Sequence, residues 1–362
     1  MLDIEIETVW RFRKEGSPQT AVVMLGILNE IRKTGKLTSA AEHAHLSYRH
    51  VWNLVEQWSD FFGVPLVETQ RGKGTKLTAF GEKLVWAGER MQARLGPQLE
   101  NLAQELATEI KPFLHQRPSV IRVHASHGFA VSKLRELLDR EPGIGVDLRY
   151  VSNQHSLVSL AQGACDLSGV HLPRGELRAQ SVRACKEWLD PREDRVIHFV
   201  TREMGLMVKR GNPLQINSLQ ALADRKARFV NRDHDSGTRL LFDQLLALHK
   251  IDESKINGAQ QIEFTHAAVA AYVASGMADA SFGVEAAARQ FGLDFVRLLT
   301  EDYFFVGKRA FLETEPMRRV LDIMKGREFH QEVASLPGYV ATDTGTVSSV
   351  KEFLESVDTG GG

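Results

Sequence analysis

The chain has 362 residues, 43% of them hydrophobic and 25% charged, with 45 Lys and Arg against 46 Asp and Glu for a net charge of −1. That length asks for two or more compact units, each able to bury a core, and the mixture excludes a disordered chain. The balanced charge excludes a globally basic nucleic-acid binder, so any contact with nucleic acid must rest on a local patch.

No stretch approaches the roughly eighteen continuous apolar residues of a membrane span. The opening MLDIEIETVWRFRKEG lacks the basic segment and apolar core of a signal peptide, so no membrane partner and a cytoplasmic location are expected. Cys165 and Cys185 are the only cysteines. Two are too few for a disulfide framework or a thiolate metal site, so neither receives a function and no metal is expected.

The first hundred or so residues are predicted to be helical apart from one short basic loop. The segment from Leu37 to Phe62, LTSAAEHAHLSYRHVWNLVEQWSDFF, has the grammar of a helix-turn-helix. Thr38 or Ser39 is expected to cap a short helix whose Ala40 and Ala41 let a second helix cross closely. His45-Leu46-Ser47 then forms the turn, and Ser47 caps the second helix. Val51, Leu54, Val55 and Trp58 repeat at helical spacing and mark its buried face, leaving Tyr48, Arg49, His50 and Asn53 outward. Arginine and asparagine match guanine and adenine edges, while Tyr48 and Ser47 suit phosphate oxygens.

Downstream, Val67-Glu68-Thr69 and Leu77-Thr78 bracket a basic, glycine-rich tip in the manner of a wing. Arg71, Lys73 and Lys76 there, with no acid between them, suit backbone phosphates. Thr78 to His115 follows as a long amphipathic helix, with a kink or break expected at Gly96-Pro97.

These residues resemble the winged-helix domain shared by LysR-type and molybdate-responsive ModE-type regulators. The resemblance is carried by Leu37 to Ala41, by Ser47-Tyr48-Arg49-His50-Val51-Trp52, by Phe62 to Val67 and by Leu77-Thr78-Ala79-Phe80-Gly81, over about residues 17 to 110. It implies double-stranded operator DNA as partner and pairing of protomers through the helix after the wing, hence a homodimer or homotetramer on symmetric half-sites.

After Pro118 short apolar runs alternate with helical segments, the rhythm of an α/β unit. VIRVHAS, IGVDLRYV, CDLSGVHL, Leu206 to Val208, Ala227 to Asn231 and Ala280 to Val284 read as strands. Helices are expected to about Arg140, from Ser156, over Gly237 to His249 and His266 to Ser275, with the last over Glu315 to Met324 or beyond. Small hydroxyl or glycine residues stand where strands meet helices at Ser126-His127-Gly128, Asn153 to Ser156 and Asp235-Ser236-Gly237-Thr238-Arg239. In an open α/β sheet such loops lie where ligands bind, and the helix starts favour an anion.

This half resembles the binding-protein-like domain of molybdate- and tungstate-linked regulators. Ser126-His127, Asp166 to Leu172, Gly205 to Val208, Asn231-Arg232 with Ser236 to Arg239, Ala274 to Ala280 and Glu301-Asp302-Tyr303 carry the likeness, over about residues 118 to 335. It implies a two-lobed, periplasmic-binding-protein-like type II α/β domain with crossings near Ile197 to Arg202 and Leu298 to Phe305, and an oxyanion held by neutral hydroxyls and amides. Ser126, Ser156, Ser236, Gly237 and Thr238 are the first ligand candidates, with Tyr303 and His171 second. Gly128 stands where an acid often follows the Ser-His pair, which leaves molybdate or tungstate as first choice and a carboxylate such as formate as alternative.

The expected organisation is a winged helix-turn-helix over 1–80, a linker and dimerisation helix over 81–116, and a two-lobed effector domain over 117–358. Its first lobe covers about 117–197 and 305–358, its second about 203–298. No nucleophile elbow, paired-histidine metal motif, dinucleotide fingerprint or phosphate loop is present, so neither an enzyme nor a cofactor is expected. The sequence therefore describes a regulator controlled by a small anion, with a non-DNA-binding anion carrier as the weakest reading.

Overall fold

The computed structural model describes residues 4–14, 17–70, 74–110 and 119–358. It divides into two compact units, Glu7–Gly96 and a second built from Pro97 onward together with the residues before Glu7.

The N-terminal unit opens, where helix was expected, with a hairpin, β1 (Arg11–Lys14) against β2 (Ser17–Thr20). Its anchor is non-local. Phe12 places its ring 5.1 Å from Phe62 and 5.9 Å from Trp58, so four-residue strands with little pattern of their own are held by a distant aromatic cluster.

Next come α1 (Val22–Thr34), α2 (Leu37–His43) and α3 (Tyr48–Phe62). Met24, Ile27, Leu28 and Ile31 give α1 one buried face, and Gly35 ends it in the left-handed region at φ 70°. The expected cap at Thr38 or Ser39 is overturned: the helix already begins at Leu37, with Lys36 in the cap position and no capping side chain. Burial of Leu37, Ala40 and Ala41 sets this start instead of a hydroxyl. The wing is β3 (Val67–Gln70) paired in register with β4 (Gly74–Leu77), Val67 opposite Leu77.

Thr78 then donates its hydroxyl to Pro65 O at 2.7 Å and accepts from Gly81 N at 3.1 Å. A side chain at position 81 would meet Leu66 O at 2.3 Å, which explains the glycine of the Leu-Thr-Ala-Phe-Gly motif. The following helix α4 (Ala79–Ile110) contains Pro97 without ending there, so of the kink or break expected at Gly96-Pro97 the break does not occur.

The second unit runs β5 (Ser119–Ala125), α5 (Phe129–Leu138), β6 (Ile144–Tyr150), α6 (Asn153–Ala161), β7 (Leu167–Pro173), α7 (Arg178–Lys186) and β8 (Asp194–Val208). It continues through α8 (Leu219–Asp224), β9 (Phe229–Arg232), α9 (Gly237–Leu248), β10 (Ile262–Glu263), α10 (His266–Ala274), β11 (Ala280–Val284), α11 (Glu285–Gln290) and β12 (Asp294–Lys308). It closes with α12 (Arg309–Leu312), α13 (Glu315–Lys325), α14 (Arg327–Ala334), β13 (Tyr339–Val340), β14 (Val347–Ser349) and α15 (Val350–Asp358). The helix expected to be last is thus followed by two more. Only isolated apolar residues such as Phe329, Val333, Val350 and Phe353 anchor them, too few for a long periodic pattern.

The strands join in the order β10-β9-β11-β8-β12-β7-β5-β6. Parallel β6, β5 and β7 form one lobe, and parallel β10, β9 and β11 form the other. The 15-residue strands β8 and β12 pair antiparallel from Asp294 opposite Val208 to Lys308 opposite Asp194, so each serves both lobes. The expected crossings near residues 197 to 202 and 298 to 305 fall inside them.

Candidate functional site

The second helix of the helix-turn-helix, α3, is built locally. Ser47 Oγ accepts from His50 N at 3.2 Å and caps α3, and Val51, Val55 and Trp58 are buried along one face. Leu54, expected on that face, is only half-buried beside it. Tyr48, Arg49, His50 and Asn53 occupy exposed positions on the helix. Lys76 is exposed on β4, whereas Arg71 and Lys73 lie outside the described residues.

The second candidate site is the junction of the two lobes, where a cavity of about 570 Å³ is lined by Asn153, His155, His171, Ser236, Gly237 and Glu301 among others. Helix starts from the two lobes meet here. Ser152 caps α6 and Ser236 caps α9, the latter accepting from Thr238 N at 3.3 Å. A side-chain carbon at Gly237 would come within 3.3 Å of Asn153 Nδ2, so glycine lets the two helix starts approach without crowding.

The expected ligand residues separate on inspection. Ser126 reaches Asn153 Oδ1 at 3.4 Å. Thr238 is buried, with its hydroxyl 3.4 Å from His266 Nε2. Ser156 is fully buried inside α6. It donates toward Asn153 O and Gly169 O at 2.8 and 3.0 Å and accepts from Ser168 at 2.9 Å, so at this helix start it is Ser152 that lines the cavity and not Ser156. His171 and Tyr303 lie opposite each other on β7 and β12 and stack with ring centroids 3.9 Å apart. Both are buried, and neither His171 nitrogen nor the Tyr303 hydroxyl has a hydrogen-bond partner. Arg239 pairs with Asp243 at 2.8 Å and Glu253 at 2.5 Å, which engages it on its own lobe.

Four residues absent from the expected set complete the junction: Arg202, Arg232, His127 and His266. Arg202 donates from Nε and Nη2 to Glu301 Oε2 at 2.9 and 2.7 Å, joining the two long strands at a point where both side chains are buried. Burial opposes its charge, yet Glu301 leaves its pKa raised. Arg232 is buried at the end of β9, and burial draws its pKa down to about 10. His171 and His266 are held well below the ordinary histidine range, by burial first and then by nearby arginine charge. His127 is pushed down to about 4 by burial and Arg232. A junction of neutral hydroxyls was expected, and the structure adds two guanidiniums and three neutral imidazoles. Arg232 and His127 do lie within the quoted motifs, but periodicity says nothing about burial of a single charge at a strand end.

Residues 23–82 match the family described as bacterial regulatory helix-turn-helix protein, lysR family, and residues 134–325 match the PBP superfamily domain. The second match spans more than half of the chain, which belongs to that superfamily and carries a LysR-type helix-turn-helix ahead of it.

Among relatives, the uncharacterized protein YvgK of Bacillus subtilis is 31% identical over 199 residues, 55% of this chain and 64% of its own length. The chain therefore spans less than two thirds of that protein. The HTH-type transcriptional activator CmpR of a Synechocystis species is 23% identical over 240 residues, 66% of this chain and 70% of its own. A solved OxyR mutant from Corynebacterium glutamicum with bound H2O2 superposes with TM-score 0.45 at 15% identity, covering 89% of this chain and 95% of that one. No helix among the described residues is long and apolar enough to cross a membrane.

Proposed function

We propose that the protein is a DNA-binding transcription regulator in which the winged helix reads an operator and the two-lobed domain senses a small anion. The observation that carries this reading is the capped helix α3, buried through Val51, Val55 and Trp58, with Tyr48, Arg49, His50 and Asn53 at exposed positions inside the lysR-family match. Molybdate or tungstate is the first effector considered, and formate or another small carboxylate is the alternative.

Ligand drawn between the lobes shifts them toward a closed state, and closure alters how paired protomers hold their winged helices on DNA half-sites. Pairing through α4 is supported by its exposed apolar residues Met91, Leu102, Leu106 and Ile110.

The test pairs two measurements. Arg49→Ala is expected to weaken operator binding roughly tenfold or more without changing anion affinity; equal retention by variant and parent across several salt concentrations would refute the assignment. Parallel calorimetric titration with molybdate, tungstate, sulfate and formate then ranks the effectors.

A further inference from the structure

Deepening the anion-sensing reading just given, and resting on it, is a residue-level reading of the charge the ligand must carry. The lobe junction contains four buried polar side chains with atoms that have no hydrogen-bond partner: both ring nitrogens of His171, His266 Nδ1, Tyr303 Oη and Arg232 Nε. They arrive on β7, α10, β12 and β9, from both lobes and the long strand between them. One such unmet buried group costs roughly 1–3 kcal/mol, so four in one junction mark a place built to be completed by something else. His171 lines the cavity directly, and the loop after Arg232 supplies His234, Asp235 and Ser236 to its wall.

The charges differ in how well they are matched. Arg202 is taken by Glu301 through two short hydrogen bonds. Arg232 donates from Nη2 to Phe264 O at 2.9 Å, and the Asp233 carboxylate stands 3.9 Å away, beyond hydrogen-bonding distance. We infer that Arg232 is the counter-charge of the effector site, with His171, His266 and Tyr303 as its neutral partners, and that the site selects a compact singly charged oxyanion, such as a small carboxylate, over a tetrahedral dianion.

A dianion brings a second charge for which the described residues of the junction hold no free cation, so its binding must draw a proton from solvent onto His171 or His266. Those imidazoles face Arg202 of β8, Arg232 of β9, Glu301 and Tyr303 of β12, His127 ahead of α5 and Thr238 of α9. Glu301 is committed to Arg202. The charge remaining around the rings is positive, which keeps them neutral until an anion arrives.

The experiment is calorimetric titration of the full chain with sodium formate and sodium molybdate, at about pH 6.5 and about pH 8, in buffers of different ionisation enthalpy. Formate is expected to bind with no net proton exchange and equal affinity at both values. Any molybdate binding is expected to take up close to one proton and to weaken roughly tenfold per pH unit. Arg232→Gln should lower formate affinity roughly 100-fold while melting no lower than the parent, and Arg232→Lys should stay within about tenfold of it. Molybdate binding without proton uptake, unchanged formate affinity in Arg232→Gln, or a large drop in that variant's melting temperature would each overturn the inference. Failure of the parent to bind either anion would instead overturn the anion-sensing reading on which it rests.

Discussion

The core of the winged helix and the junction between the lobes are both buried, but they are filled with opposite chemistry. Met24, Ile27, Leu28, Val51, Val55 and Trp58 pack the first as ordinary apolar burial, where each side chain removes hydrocarbon from water. The second buries Arg202, Arg232, His171, His266 and Glu301, groups that cost free energy unless each is matched. One region exists to hold a surface in place. The other keeps unmet polar groups inside a stable sheet, the arrangement of a site prepared for a partner.

The largest test of this contrast is Trp58→Ala. Loss of its stacking on Phe62 and its edge contact with Phe61 should cost the N-terminal unit about 3–5 kcal/mol in denaturant titration and abolish operator binding, while anion binding by the second unit persists. A comparable loss, about 3 kcal/mol, is expected from Glu301→Gln, which leaves the Arg202 charge buried and unmatched. A negligible change there would mean that the junction tolerates stray charge, and the contrast with Arg232 would collapse.

Acid provides a third measure. His127, held at about 4 in the fold, stays neutral there while the unfolded chain takes up a proton below the ordinary histidine pKa of about 6.5. Stability is therefore full above that value and falls as pH drops from about 6.5 to about 4, with His171 and His266 adding in the same direction. Melting curves of His127→Gln should be less steep in pH across that window than those of the parent. The smallest expected effect is Ser47→Ala, about 1 kcal/mol from loss of the cap on α3, with a modest decrease in DNA affinity as the first turn frays.

Legibility in the sequence follows the same division. The Ser47 cap, the buried spacing of Val51, Val55 and Trp58, and the Thr78 and Gly81 corner are local, so residue order alone is enough to find them. The hairpin at Arg11 to Thr20 was missed because Phe12 is anchored by residues some fifty positions away. The cap expected at Thr38 or Ser39 failed because burial of Leu37 decides where that helix starts. In the junction, helix-start loops pointed to Ser236, Gly237 and Thr238, while the neighbouring helix, expected from Ser156, begins at Asn153 with Ser152 as its cap and buries Ser156.

What the sequence by itself determined was the order of elements: a helix-turn-helix with its wing, a long helix, then alternating strands and helices. Those depend on caps, turns and periodicity, which act over a few residues. Only the tertiary structure decided which polar side chains became buried together. Arg202 meets Glu301 across 99 positions and Thr238 meets His266 across 28, because β8 and β12 run through both lobes and bring the ends of distant strands to one point. Burial is a property of that convergence, and it turns ordinary arginines and histidines into a tightly matched pair, a loosely paired charge and a set of neutral rings.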